Sequence, residues 1–247
     1  MKNLDGTRIR VSLENVKRSP VPEEYHYEFR NIIIRKIQAS NPSISAAMHD
    51  NWKKFFSFSG FLGHQWNTTL GLMFKNVDVV FVSPETEIIG LLKNSILMNP
   101  KLLLSGSELY VNSVKEIRLS IPDNVSTLRY ETLGEIVIKK GSENNKTVHV
   151  GITDNVKQML EEIIIKQYSA FSGYAPTIEV SITDSKQKKK AIVKDGKISN
   201  SFIACRFRFT LKADEEVHRF ILTQGIGHHR KMGFGTVGIV KEIENKQ

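Results

Sequence analysis

The chain is nearly without cysteine: Cys205 stands alone among 247 residues. A single thiol excludes an intrachain disulfide and any zinc site built from clustered cysteines. Its setting, Phe202-Ile-Ala-Cys-Arg-Phe207, is that of an inert strand cysteine rather than a nucleophile. No apolar run approaches the length of a membrane span, and the N-terminus lacks the apolar core of a signal peptide. A reducing, cytoplasmic setting without membrane association is therefore expected. A Walker loop, Gly-x-x-x-x-Gly-Lys-Ser/Thr, is also absent, which removes the commonest phosphate-binding signature. Acidic residues are the scarcer charge, 26 against 35 Lys and Arg, for a formal charge of +9. Such a surplus favours a polyanionic partner, nucleic acid before an acidic membrane surface, although solubility alone accounts for it in many proteins.

What is present is enough apolar residue, 40%, for one large domain or two small ones with real cores. Arg8 to Leu13 alternates polar and apolar, the mark of a half-buried strand. After Ser19-Pro-Val-Pro22 a helical pattern begins at Glu23, with Tyr25, Phe29, Ile32, Ile33 and Ile37 on one face, and Asn41-Pro42 stops it. Lys54 to Ser59 suits a strand, as does Leu72 to Val82 with a turn or bulge at Asn76. Glu85 to Met98 predicts a helix ended by Asn99-Pro100, and Leu102 to Leu119 an extended stretch broken at Ser105-Gly106. The second half repeats the order. Leu128 to Lys139 is a strand weakened by Gly134, and Lys146 to Val150 pairs back onto it. A helix capped by Thr153 or Asp154 carries Val156, Met159, Leu160, Ile163, Ile164 and Tyr168 as an apolar stripe. Thr177 to Ile182 is a strand, Lys188 to Lys190 with Lys186 mark a hairpin tip, a loop follows around Asp195-Gly196, and Phe202 to Leu211 is a strand. Asp214 caps a short helix with Val217, Phe220 and Ile221 on one side, and Thr236 to Ile243 is the last strand. The order strand, helix, strand, strand, helix, strand, met twice, predicts an α+β chain of two tandem ferredoxin-like (RRM-like) domains, each βαββαβ, over 1–122 and 123–247. No sequence repeat links the halves.

Between that last helix and strand lies Gly225-Ile-Gly-His-His-Arg-Lys-Met-Gly233-Phe-Gly235. Glycine lets a backbone approach a ligand and turn its N–H groups toward an anion, and Arg230 and Lys231 supply matching charge. The segment reads as a phosphate-contacting loop. Gly233-Phe-Gly-Thr-Val-Gly238 fits the dinucleotide pattern, but that motif must open a helix and precede a distant acidic residue, and the chain ends too soon. Early in the chain His49-Asp50 is followed by Lys53 and Lys54. A lone histidine is ordinarily a surface residue, and a metal-dependent phosphohydrolase would need further ligands that the sequence does not place. A histidine beside fixed ammonium groups does suit metal-free phosphoryl transfer: the imidazole moves protons near neutral pH and the lysine stabilises charge on phosphorus. Lys186 and Lys188 to Lys190 read as a solvated charge run in preference to an RNA-attracting patch.

With these residues in view, the chain resembles the CRISPR-associated repeat-RNA endoribonucleases, Cas family six within the RAMP superfamily. Gly225, Gly227, Arg230, Gly233, Phe234 and Gly235 fill the fixed positions of the signature G-x-G-x-x-R/K-x-x-G-F-G. Pro22 to Tyr27, Met48-His49-Asp50, Phe56 to Ser59 and Asn99-Pro100 extend the likeness over the N-terminal half. The resemblance implies two ferredoxin-like domains and metal-free cleavage of CRISPR precursor RNA within its repeats, with no cofactor. The ribose 2′-OH attacks the adjacent phosphate, leaving a 2′,3′-cyclic phosphate and a 5′-OH. It implies that His49 is the general base or acid and that Lys54 stabilises the transition state. Lys53 is the second candidate for that role, otherwise an RNA contact. The loop residues Gly225, Gly227, His228, His229, Arg230, Lys231, Gly233, Phe234 and Gly235 are implied to grip RNA. Repeat RNA is the implied partner, with a CRISPR effector complex and a homodimer as further options. Some members carry a catalytic tyrosine where this chain has Ile34. Tyr27 lies roughly 10 Å away along the same helix, and Arg30 and Gln38 lie one turn either side. A non-cleaving RNA-binding member of the superfamily is the alternative, and a module for a small phosphorylated ligand the third.

Overall fold

The structure is a computed structural model that describes residues 7–41, 56–118, 121, 125–143, 146–153, 155–194 and 196–240. It is α+β with antiparallel sheets, as expected. The first sheet is built from β1 (Thr7–Glu14), β2 (Ser57–Phe58), β5 (Asn76–Ser83), β6 (Lys101–Leu104) and β7 (Ser107–Ile117) in the order β2-β5-β1-β7-β6. Helices α1 (His26–Ser40) and α2 (Thr86–Met98) cover one face of it. Alternation in β1 sends Ile9, Val11 and Leu13 inward, where they meet Phe29, Ile33 and Ile37 of α1 and Ile89, Leu92 and Ile96 of α2 in one core. Both helices end at an asparagine before proline, whose N–H closes the last turn onto Ile37 and Ser95 respectively.

The second sheet has the order β11-β12-β8-β13, from β8 (Thr127–Thr132), β11 (Glu179–Lys194), β12 (Lys197–Lys212) and β13 (Val237–Ile239). Helices α3 (Val156–Ser172) and α4 (Glu215–Gln224) cover it, packing Leu160, Ile164, Val217 and Ile221 against Phe207 and Phe209. A separate hairpin joins β9 (Ile138–Glu143) to β10 (Lys146–Val150). Cys205 lies fully buried on β12, where burial pushes its thiol up to about 11, so it is the inert strand cysteine the sequence predicts. With β6 of the first sheet left aside, the strands of each sheet, counted along the chain, stand second, third, first, fourth. Arg8 of β1 ties the two together: its guanidinium donates to the carbonyls of Leu222, at the end of α4, and of Val237 in β13 at 2.7 Å.

Several elements differ from the sequence reading. Leu72 to Val82 is two strands: β4 (Gly71–Met73) pairs with β3 (Trp66–Thr68) as a small hairpin, and Phe74 then turns into the core before β5 begins. Gly71, at φ +131°, passes so close to the Val21 carbonyl that no side chain fits, and Leu72 exchanges backbone hydrogen bonds with Val21. Only Ser57 and Phe58 of the Lys54 to Ser59 stretch pair as a strand among the described residues. The break at Ser105-Gly106 is as expected, a two-residue hairpin turn with both φ values positive. Leu128 to Lys139 leaves the second sheet after Thr132. Asn155, not Thr153, sits at the N-cap of α3, and neither it nor Asp214 at the start of α4 makes a side-chain cap bond; Asp154 lies outside the described residues. Gln187 to Lys190 is not a hairpin tip. These residues lie mid-strand in β11, opposite Phe202 to Cys205, and the strand runs on until Lys194 pairs with Lys197, so the reversal falls where the sequence expects the Asp195-Gly196 loop. The apolar Ala191-Ile-Val193 keeps the strand going, and Asp-Gly is the stronger turn signal.

Candidate functional site

The Gly225 to Gly235 loop closes on itself. All four glycines have positive φ, from +72° to +88°, and so does His229 at +56°. Their N–H groups are spent inside the protein: Gly225 donates to Ile221 O, Gly227 to Gln167 Oε1, Gly233 to Arg230 O and Gly235 to Glu135 O. The expectation that these glycines turn their N–H groups on an anion is therefore corrected; they permit backbone crossings. A Cβ on Gly235 would stand 2.0 Å from the Ile226 carbonyl, and one on Gly233 2.5 Å from the Phe58 ring. Phe234 is likewise no surface contact. It is fully buried among Val137, Ile192, Phe202 and Ala204, because an aromatic side chain flanked by two glycine crossings has only the interior to enter.

His228, His229, Arg230 and Lys231 are each half-buried, the last two within a 3-10 turn over Arg230–Met232. His228 Nδ1 lies 3.3 Å from Val137 O, and burial lowers its pKa. The imidazole of His229 stacks on Phe202, with centroids 5.2 Å apart. Arg230 Nη1 donates to Gln224 O at 3.1 Å, and burial lowers the pKa of its guanidinium.

The loop is seated on the N-terminal half. Ser57 of β2 donates to Arg230 O at 2.9 Å and lies 3.1 Å from Thr236 Oγ1. His26, first residue of α1, packs against Gly233 and Phe234. Tyr27 and Met232 cover the cluster around Phe234, and the guanidinium of Arg30 lies 5.7 Å from the Tyr27 ring centre. Ile34 packs on the N-terminal core, and Gln38 is half-buried. His49, Lys53 and Lys54 lie outside the described residues.

Beside the loop, β11 and β12 bring cations onto two carboxylates. Lys188 pairs with Glu23, while Lys190 and Arg206 approach Glu135 Oε1 at 3.8 and 3.4 Å. Lys188 and Lys190 are thus not simply a solvated run, since Lys190 is buried. Burial works to raise the pKa of Glu135, but Lys190 and Arg206 outweigh it and hold the carboxylate below its ordinary range. Burial first, then the charge of Lys190, brings His26 down to about 4, so this imidazole is neutral at physiological pH. A cavity of about 360 Å³ opens here, lined among others by His26, Gln65, Glu135, Lys186 and Arg206. Ser57, His26, Glu135 and Arg206 were not singled out by the sequence. Only the hydroxyls alternating with aromatics in Phe56-Ser-Phe-Ser59 hinted at Ser57.

The class of protein to which this fold and loop belong is the CRISPR-associated proteins. Two family models match: "CRISPR-associated protein Cas6, N-terminal" over residues 20–115 and "CRISPR associated protein Cas6, C-terminal" over 120–239. The chain belongs to the Cas6 family. It is 24% identical over 250 residues to a CRISPR-associated endoribonuclease-like protein, Cas6nc, of Pyrococcus horikoshii, covering 95% of this chain and 100% of that one. A Cas6-related protein from Pyrococcus furiosus has a similar structure, with TM-score 0.80 at 21% identity, covering 96% of this chain and 99% of the other. A RAMP protein described as binding different RNA substrates matches at TM-score 0.79 and 22% identity, over 95% and 100%. No helix among the described residues is long and apolar enough to cross a membrane.

Proposed function

We propose that this chain is a metal-independent endoribonuclease that cuts CRISPR precursor RNA within its repeats. It would do so in the cytoplasm and deliver the product to a CRISPR effector complex. Its two halves, 1–122 and 123–247, are tandem ferredoxin-like domains. The shared strand order supports this, since second-third-first-fourth is the order of that fold. His49 removes the proton from a ribose 2′-OH, and the oxygen attacks the adjacent phosphorus. The bond from phosphorus to the 5′-oxygen breaks, leaving a 2′,3′-cyclic phosphate, and the departing oxygen takes a proton from water to become a 5′-OH, while His49 returns its proton to solvent. Lys54 stabilises the extra negative charge on the phosphoryl oxygens at the transition state. His228, His229, Arg230, Lys231 and Lys53 hold the RNA backbone, while the four glycines and Phe234 shape the loop that presents them.

The observation that carries this reading is the seating of the loop on β2. Ser57, which donates to Arg230 O at 2.9 Å, follows Lys54 by three positions in the sequence, so the loop proposed to grip RNA rests on the strand that comes next along the chain after the residues proposed for the chemistry. Family membership and RNA-binding relatives support the substrate class. Ile34, packed on the core where some members have a tyrosine, favours a second reading, an RNA binder that does not cut. Cleavage of cognate repeat RNA by the wild-type protein separates them, and His49→Ala then tests the base. On the first reading, cleavage of the cognate repeat RNA stops while its Kd stays within about threefold; undiminished cleavage would remove His49 from the chemistry.

A further inference from the structure

We propose that Ser57 is a positioning residue for this cleavage, holding the basic loop in fixed register with the strand that follows Lys54. The inference rests on the endoribonuclease reading above. β2 is a short edge strand that pairs with β5 through Ser57 and Phe58, and the Ser59 N–H continues the ladder onto Val80 O at 2.9 Å. Its other side meets the loop. There the Ser57 hydroxyl, 2% exposed, reaches three loop groups: Arg230 O at 2.9 Å, Phe234 O at 3.3 Å and Thr236 Oγ1 at 3.1 Å. A serine has one proton to give. Donated to the nearest acceptor, Arg230 O, it leaves the Ser57 oxygen to accept from the Thr236 hydroxyl, itself fully buried. One side chain thereby clamps the loop at both ends of the stretch from Arg230 to Thr236. The basic side chains that would grip RNA remain outside the clamp. Ser57 is buried away from any RNA and acts only through the loop, so its loss frees the register without removing a phosphate contact.

The test compares Ser57→Ala, Thr236→Val, their double variant and Thr236→Ser. Each full-length protein is measured for single-turnover cleavage at saturating protein, RNA affinity and melting temperature. Misplacing reacting groups by about 1 Å costs on the order of 100-fold in rate. Ser57→Ala and Thr236→Val are therefore expected to slow cleavage about 10- to 100-fold with Kd within about threefold of wild type. The double variant adds little to either, and Thr236→Ser, which keeps the hydroxyl, cleaves at nearly the wild-type rate. A structural role alone would lower affinity and melting temperature without this split between rate and affinity. Cleavage by Ser57→Ala within about twofold of wild type, or a loss of rate matched by a loss of affinity, overturns the proposal while leaving the endoribonuclease reading standing. Should Ser57→Ala not fold, the contrast between Thr236→Val and Thr236→Ser decides in the same way. A wild-type protein that binds repeat RNA without cutting it overturns both.

Discussion

The imidazole of His26 lies against the ring of Phe234, centroids 4.6 Å apart and planes tilted by 30°, so the first turn of α1 is packed directly on the glycine loop. A cation there would be costly, with Lys190 and Arg206 close by and Glu135 the one opposing carboxylate. His26 stays neutral in the folded chain down to about pH 4, whereas the unfolded chain takes up its proton near 6.5. Between those values the unfolded state binds more protons, so the contribution of His26 is fully present above 6.5 and lost as pH falls through 4, by on the order of 3 kcal/mol. Melting temperatures followed from pH 7.5 to 4 should fall more steeply for wild type than for His26→Phe, which keeps a ring without the titration. Parallel curves would mean that His26 is not held neutral by this contact.

Gly235 and Gly106 share a positive φ but not a setting. At Gly106 nothing lies within 4 Å of an added Cβ, whereas at Gly235 the Ile226 carbonyl is 2.0 Å away. Gly106→Ala should therefore cost about 1–2 kcal/mol, the strain of a left-handed alanine. Gly235→Ala should cost distinctly more, about 3 kcal/mol or above, because the loop must also move. Urea unfolding of both variants checks the ranking, and equal losses would mean that the loop is not closed as described.

Arg230 is half-buried, its guanidinium donates to Gln224 O, and its backbone rather than its guanidinium meets Ser57. Arg230→Ala should weaken repeat-RNA binding about 5- to 50-fold and reduce the slope of log K against log salt by about one, as the loss of one phosphate contact does. Affinity measured between 50 and 300 mM KCl reads both quantities. A lower affinity with an unchanged slope would assign Arg230 to the folding of the loop through its bond to Gln224.

Patterns that repeat along the chain were legible in the sequence. Alternation in β1, the apolar face of α1 with Asn41-Pro42 after it, and the Ser105-Gly106 turn each depend on a few consecutive residues, and each lies where the pattern put it. The hairpin of β3 and β4 was missed because Trp66-Asn-Thr68 has little apolar alternation, and β4 is held by backbone bonds to the distant Val21. The lysines of β11 were misread for a related reason. A run of like charge looks solvated until the fold brings Glu23 and Glu135 to it from elsewhere in the chain. In the loop the sequence marked the segment but inverted its parts. Glycine spacing alone cannot distinguish N–H groups offered to a phosphate from N–H groups closing onto Ile221, Gln167 and Glu135.

The central claim is that this chain cuts RNA by 2′-OH attack. Its most direct test incubates wild-type protein with cognate repeat RNA in EDTA and maps both new ends. A single cut within the repeat, leaving a 2′,3′-cyclic phosphate and a 5′-OH, is the predicted result, with no cut when the nucleotide before the scissile phosphate is replaced by its 2′-deoxy form. Tight binding with intact RNA, or cleavage that survives removal of that 2′-OH, would contradict it.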